Sequence, residues 1–416
     1  MKICLISDYL PEYHDVWGGG EKAAISIARL LASKKEHEVI VVTKKTKKIV
    51  KEPFKHYSLS TTEDCLGSKL GFYFLRLKSI WLPYDVITYF GALRLFKKIK
   101  PDVINLQNFR ELSFSVLLAA KKLGIPVIYS IYDYWLFCPK IDLATEEKIC
   151  KNSSNCVKCV NSERFGFLKS LLAGNRIRLF NKMKNKFDKF IVLSENSKNL
   201  AISQGLPKEK IEIIQLPFSD LRISAKEKVD PNLLLFMGWI HHRKGLKVLV
   251  KAVSLLVKKH PKIKLIALGM PASKSYEKEV KDLIIKHELE NNVQLIIERK
   301  KLEEVSELTA KAGMIVIPEQ WENMSPVLLI ESMFNAKPII ASRIGGIPSF
   351  IKDKKSGLLA KYDSAEDFAK KIEFYLKNPA KARAYGLNAR ADALKIFNER
   401  TIYKKLIMLY ESICKQ

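Results

Sequence analysis

A chain of 416 residues favours two or three domains, and 47% hydrophobic content with ordinary Gly and Pro counts excludes a disordered or fibrous protein. Its 72 Lys plus Arg against 44 Asp plus Glu leave a formal charge of +28, which calls for an anionic partner: nucleic acid, an acidic membrane surface or a phosphorylated substrate. Seven cysteines, an odd number in a chain read as cytoplasmic, argue against a disulfide framework.

The chain opens on MKICLISDYL, whose short apolar stretch suits a buried strand better than a secretory leader. In WGGGEKAAISIARLL, Gly18, Gly19 and Gly20 join that strand to a helix and let a phosphate or sugar approach the backbone; the same residues also serve a plain tight turn. The run lacks GxGxxG spacing, and no GxxxxGK[ST] loop occurs, so dinucleotide binding is poorly supported and P-loop kinases drop out. Apolar runs without alternation (KICLIS, HEVIVVT, PDVINLQ, IPVIYSIYD) alternate with helical stretches, which predicts a parallel sheet covered on both faces. The most apolar window, about residues 70 to 92, is broken by Arg76, Lys78 and Asp85 and is too short to span a bilayer.

After Asp133 the pattern gives way to Cys138, Cys150, Cys156 and Cys159, a CxxC with two further thiols nearby. Thiolates so grouped suit a tetrahedral structural zinc that pins a loop; the competing reading is free cysteines. Residues 164 to 190 are basic with Phe and Leu at helical intervals, which predicts either a helix lying on an anionic membrane, at its cytoplasmic face, or an amphipathic helix packed on its own domain. The segment GFYFLRLKSIWLPYDVITYF is a second candidate for such a surface. Strands resume at KFIVLSE, SAKEKVDPN reads as a linker, and a second α/β series follows. The expected domains are 1–223, with a Cys-rich insert at 138–160, and 224–398, with a helix at 399–416 packing back on the first.

In the second half, FMGWIHHRKGLKV places Arg243 and Lys244 in a loop after a strand, where two cations could neutralise a diphosphate leaving group; a basic pair in so basic a chain also reads as a solvated face. In PEQWENMSPVLLIES, Ser325 is expected to cap a helix with Pro326 in its first position, leaving the N–H groups of Val327 and Leu328 to face a pyrophosphate. Glu331 then lies within reach of a ligand over the helix start, or is simply an exposed carboxylate.

Together these stretches resemble the retaining glycosyltransferases of family 4, over nearly the whole chain. GGGEKAAISIARLL is similar to that family's GGxE helix start, IPVIYSIYDYWLFCP to its HDYWxxCP segment, GWIHHRKG to its phosphate loop, WENMSPVLLIESM to its donor-binding helix, and KPIIASRIGGIPSFIKDKKSGLL to its GGxPE and SGLL run. The resemblance implies a GT-B fold, α/β with two Rossmann-like domains facing a central cleft. It implies that Lys244, with Arg243, contacts the donor pyrophosphate, that Glu331 binds the ribose, and that Met324, Ser325 and Pro326 face the sugar and phosphates, with Gly19 and Gly20 completing the phosphate site. Tyr132 and Asp133 stand where the family has His-Asp. Glu322 and Glu331 are nine apart where the family spaces two glutamates by eight, which leaves Glu322 or Asn323 for the first position. Trp239 stands in place of the family's Arg after the loop glycine, and Ser349 in place of the Glu of GGxPE.

No Asp-x-Asp occurs in the chain, so catalysis is expected to need no metal or other cofactor, with Lys and Arg supplying positive charge. The implied reaction transfers a sugar from a nucleotide-diphosphate donor to a saccharide or lipid-linked acceptor with retained configuration, the leaving phosphate helping to deprotonate the acceptor. Competing readings are a sugar-nucleotide epimerase on the same scaffold and a basic nucleic-acid-binding protein; no nucleic-acid motif is present, and a nucleic-acid partner is not expected.

Overall fold

The structure, a computed structural model, describes residues 1–16, 18–139, 141, 143, 150, 156, 166–218 and 228–414. The chain divides into two compact units: residues 1–218 with 397–416, and residues 219–396.

The first unit holds seven parallel strands in the order β3-β2-β1-β4-β5-β6-β7. They are β1 Lys2–Ile6, β2 Glu38–Lys44, β3 Lys55–Leu59, β4 Val103–Leu106, β5 Val127–Ser130, β6 Lys189–Val192 and β7 Ile211–Ile213. β4 and β5 are buried throughout and β1 and β2 at all but their first residue, which is why their sequences run apolar without alternation. The helix Glu399–Cys414 belongs to this unit: Asn105 Nδ2 donates to the buried Tyr410 hydroxyl at 2.8 Å, and the Tyr403 hydroxyl donates to Glu36 at 2.9 Å.

The second unit holds six parallel strands in the order β10-β9-β8-β11-β12-β13. They are β8 Asp230–Met237, β9 Lys264–Leu268, β10 Val293–Ile296, β11 Ala312–Ile317, β12 Ile339–Ser342 and β13 Leu358–Ala360. On the helix Leu246–Leu256, Leu246, Leu249, Val250, Val253 and Leu256 share one face and join the core with Phe368 and Ile372 of the helix Ala365–Lys377. Each such side chain, fully buried, contributes about 1.5–3 kcal/mol. Both units are Rossmann-like, and in each the strand order reverses at the first strand: between β1 and β4, and between β8 and β11.

The segment at residues 164–190 packs on its own unit. Phe180 and Met183 of the helix Gly166–Lys184 are buried, as are Phe187 just after it and Phe190 on β6. The side chains of residues 164–173 lie outside the described residues.

Candidate functional site

In an open parallel sheet, ligands bind beyond the carboxyl ends of the strands where the order reverses. In the second unit those ends are β8 and β11. After β8 the chain passes Gly238 and Trp239; the His241 ring then caps a short turn, its Nδ1 accepting from the Arg243 N–H at 3.3 Å, and Gly245 closes the turn at φ 70°. Only glycine fits there, because a Cβ would stand 1.8 Å from the Pro318 carbonyl oxygen. That close approach brings the loop after β8 against the loop after β11. The Gln320 N–H donates to the Arg243 carbonyl at 2.7 Å, the Arg243 guanidinium lies 5.3 Å from the Trp321 ring centroid, and Lys244 Nζ forms an ion pair with Glu319.

Glu319 was not singled out in the sequence, and it is the residue that holds Lys244. Its side chain is 3% exposed; Oε1 also accepts from Asn323 Nδ2 at 3.2 Å, while Oε2 has no partner among the described residues. Asn323 is in turn fixed by its backbone, its carbonyl accepting from the Gly346 N–H at 2.7 Å, and its Oδ1 accepts from the Ser325 N–H at 3.2 Å. Gly345, at φ 57°, permits this approach, since a Cβ there would lie 2.5 Å from the Asn323 oxygen.

The helix that follows runs Val327–Phe334. Its cap is Pro326, at φ −65° and ψ 120°, and not Ser325; the extended ψ of Pro326 keeps that residue out of the helix, so Ser325 stays one step outside. The first intrahelical bonds run from the Leu329 and Ile330 N–H groups to the Pro326 carbonyl, which leaves Val327 and Leu328 with the unsatisfied N–H groups of a helix start. Met324 and Pro326 are buried and Glu322 is half-buried. Glu331 is exposed one turn into the helix. The structure thus gathers Arg243, Lys244, Asn323, Met324, Ser325, Pro326 and Val327 at one edge of the second sheet.

In the first unit, a cavity of about 240 Å³ lies at the corresponding edge, by β1 and β4, lined by Gly20, Glu21, Gln107, Asn108, Tyr132 and Asp133 among others. The helix Gly19–Ser33 begins here, and its Glu21 is buried, accepting from Asn108 Nδ2 at 2.7 Å. The Glu21 carboxylate folds back so closely that a Cβ on Gly18 would stand 2.2 Å from it. Gly20 faces Asn108 and Tyr132, whereas Gly19 opens to free space. The Tyr132 hydroxyl donates to Gln107 Oε1, and burial pushes its ionisation well above the ordinary tyrosine range. Burial likewise raises the Asp133 carboxyl, against the Trp135 N–H at 2.9 Å and the Arg110 charge.

Asp8, two residues past β1, is a further carboxyl that sequence reasoning missed. It accepts from the Glu111 and Leu112 N–H groups at 2.7 and 2.8 Å, yet burial and the Glu111 charge push its pKa up to about 7.

Cys138 and Cys156 are buried close enough to Arg176 that their thiols act on its titration, which burial pulls down to about 10. No group of three metal-ligating side chains is placed around a common point among the described residues, and Cys159 lies outside them.

Comparison with known proteins places two family models on the chain: Glycosyltransferase Family 4 over residues 17–218 and Glycosyl transferases group 1 over residues 218–392. An uncharacterized glycosyltransferase of Methanocaldococcus jannaschii is 27% identical over 352 residues, covering 80% of this chain and 89% of the relative. The alpha-maltose-1-phosphate synthase of Mycolicibacterium smegmatis is 25% identical over 207 residues, covering 47% of this chain and 52% of that protein. Among solved structures, Anabaena HepE in complex with UDP superimposes with a TM-score of 0.70 at 16% identity, covering 99% of this chain and 100% of that one. That likeness concerns the fold, which is GT-B.

Proposed function

We propose, from the premise that this chain belongs to the family 4, group 1 glycosyltransferases, that it moves a hexose-type sugar from a nucleotide-diphosphate donor to a saccharide or lipid-linked acceptor, in the assembly of a cell-surface polysaccharide or glycolipid. One observation carries the donor assignment: the Arg243–Lys244 loop meets a helix start with unsatisfied N–H groups, at the strand ends where the sheet order reverses. A cation pair and a helix N-terminus offer a pyrophosphate the charge and the donors it requires.

In this reading Lys244, with Arg243, takes the charge that grows on the departing diphosphate, as a divalent metal does in other transferases. The Val327 and Leu328 N–H groups hold a phosphate oxygen, and Glu331 takes the ribose hydroxyls. The sugar carbon–oxygen bond to the diphosphate breaks as the acceptor oxygen bonds to the same face, and the acceptor proton passes to the leaving phosphate. No protein nucleophile is required, and positioning supplies much of the rate. The first-unit cavity, with Glu21, Asn108, Tyr132 and Asp133, is the acceptor side. A bound diphosphate competes with the Glu319 carboxylate for the Lys244 ammonium.

The test is incubation of the purified protein with UDP-, GDP- and ADP-sugars, with and without candidate acceptors, in EDTA. Diphosphate release that requires acceptor, with the anomeric configuration retained by NMR, is expected. Interconversion of the sugar nucleotide without acceptor would instead make the protein an epimerase. UDP-hexoses come first because HepE was solved with UDP and glucose.

A further inference from the structure

The helix Ser68–Ile80 is built inside out. Lys78, on its inner face, is 1% exposed, while Leu70 is 66% and Tyr73 68% exposed, with Phe72 and Leu77 also outward. Beside the half-buried Phe74 and Leu75, its inner face carries an ion network: Lys78 Nζ lies 2.6 Å from Glu63 and 2.8 Å from Asp85, and Glu63 also meets Lys44 at 3.1 Å. Asp85 in turn caps the helix Val86–Ile99, accepting from the Thr88 N–H. Burial works against the Asp85 charge, but the Lys78 and backbone bonds outweigh it and hold the carboxyl below its usual range. A water-soluble helix turns its apolar residues toward the core; this one buries a lysine in an ion network and leaves Leu70, Phe72 and Tyr73 outside.

The next helix, Val86–Ile99, also exposes apolar side chains, Val86 and Phe90 in its first turns, with Arg94, Lys97 and Lys98 exposed in its later ones. From residue 66 to 100 the sequence holds Lys69, Arg76, Arg94, Lys97, Lys98 and Lys100 beside the Lys78–Asp85 pair, and Asp85 is the sole carboxylate. Residues 66–100 therefore expose apolar and aromatic side chains together with cations, and expose no carboxylate within that stretch. Among the described residues no helix is long and apolar enough to cross a membrane. A second copy of a chain carrying +28 would bring like charge to the same margin, whereas an anionic bilayer supplies both an apolar interior and the opposite charge.

We propose that the outer face of Ser68–Ile80, with the first turns of Val86–Ile99, docks this protein on an anionic lipid surface. Leu70, Phe72, Tyr73, Leu77, Val86 and Phe90 enter the headgroup boundary, and the flanking Lys and Arg rest against lipid phosphates. The inference stands apart from the transfer chemistry, because vesicle binding is read without turnover.

Flotation of the full chain with vesicles of phosphatidylcholine, alone or mixed with phosphatidylglycerol, tests it. Binding is expected with the anionic vesicles only, to fall at least about ten-fold in a Leu70→Glu/Phe90→Glu variant whose thermal unfolding matches the wild type, and to weaken with salt. Lys97→Glu/Lys98→Glu is expected to weaken it too. Undiminished flotation of the Leu70→Glu/Phe90→Glu variant would overturn the proposal, since charge alone would then hold the membrane. So would absence of binding to either vesicle, whether or not the wild type forms a dimer that the same variant breaks.

Discussion

Replacing Lys244 by Ala does two separable things. It removes the cation assigned to the donor diphosphate, and it strands Glu319, whose carboxylate is 3% exposed and, among the described residues, keeps only Asn323 Nδ2, at 3.2 Å, as a side-chain donor. Breaking one side of a buried ion pair costs about 3–5 kcal/mol. Lys244 is 26% exposed, so water screens the pair, and the expected loss drops to about 1–3 kcal/mol. A loss of about 2 kcal/mol corresponds to a fall of about 4–8 °C in Tm. The donor effect is a lost charge-assisted contact of about 1.5–3 kcal/mol, or about 10–100-fold in the Kd of a nucleoside diphosphate. Adding Glu319→Gln to the variant removes the stranded charge without restoring the cation. Stability is then expected to recover while affinity does not. Thermal unfolding with and without UDP, GDP and ADP, followed by calorimetric titration, reads both. Wild-type diphosphate affinity in the single variant would refute the assignment of Lys244. Failure of the second substitution to restore stability would refute the account of Glu319.

Gly245→Ala forces a Cβ to 1.8 Å from the Pro318 oxygen at φ 70°, so urea unfolding of that variant is expected to show a loss above about 2 kcal/mol; a wild-type midpoint would contradict the geometry. Asp8 binds its proton more tightly when folded, with a pKa of about 7 against 3.8, so the native state holds more protons between these values and stability falls as pH rises through that window. The slope is up to about 1.4 kcal/mol per pH unit, and Asp8→Asn is expected to flatten it in unfolding measured from pH 4 to 7. Tyr410→Phe removes the acceptor of the buried Asn105 amide and is expected to cost about 1–2 kcal/mol, read by denaturant unfolding.

The strands were legible because burial on both faces leaves a run such as HEVIVVT with no polar alternation. The cation pair and the SP helix start were legible as local features of loop and turn chemistry. What joins them was not. The pairing of Lys244 with Glu319 spans 75 positions and depends on Gly245 lying against Pro318, a contact that no local spacing encodes. The cap moved from Ser325 to Pro326 because the proline's own extended ψ sets where the helix begins. The two candidate membrane segments read alike as basic and aromatic. Only the packed structure shows that Phe180 and Phe187 turn inward while Phe72 and Phe90 turn out.

The helix Glu399–Cys414 completes the first unit, yet it follows the whole second unit in the chain. On the ribosome the second unit emerges uninterrupted and can close its sheet as it appears. The first unit must wait, holding Asn105 and the underside of β4 without Tyr410 until the last helix emerges. Order of synthesis and order of completion are therefore inverted, and the N-terminal half is the one that stays unfinished longer during translation.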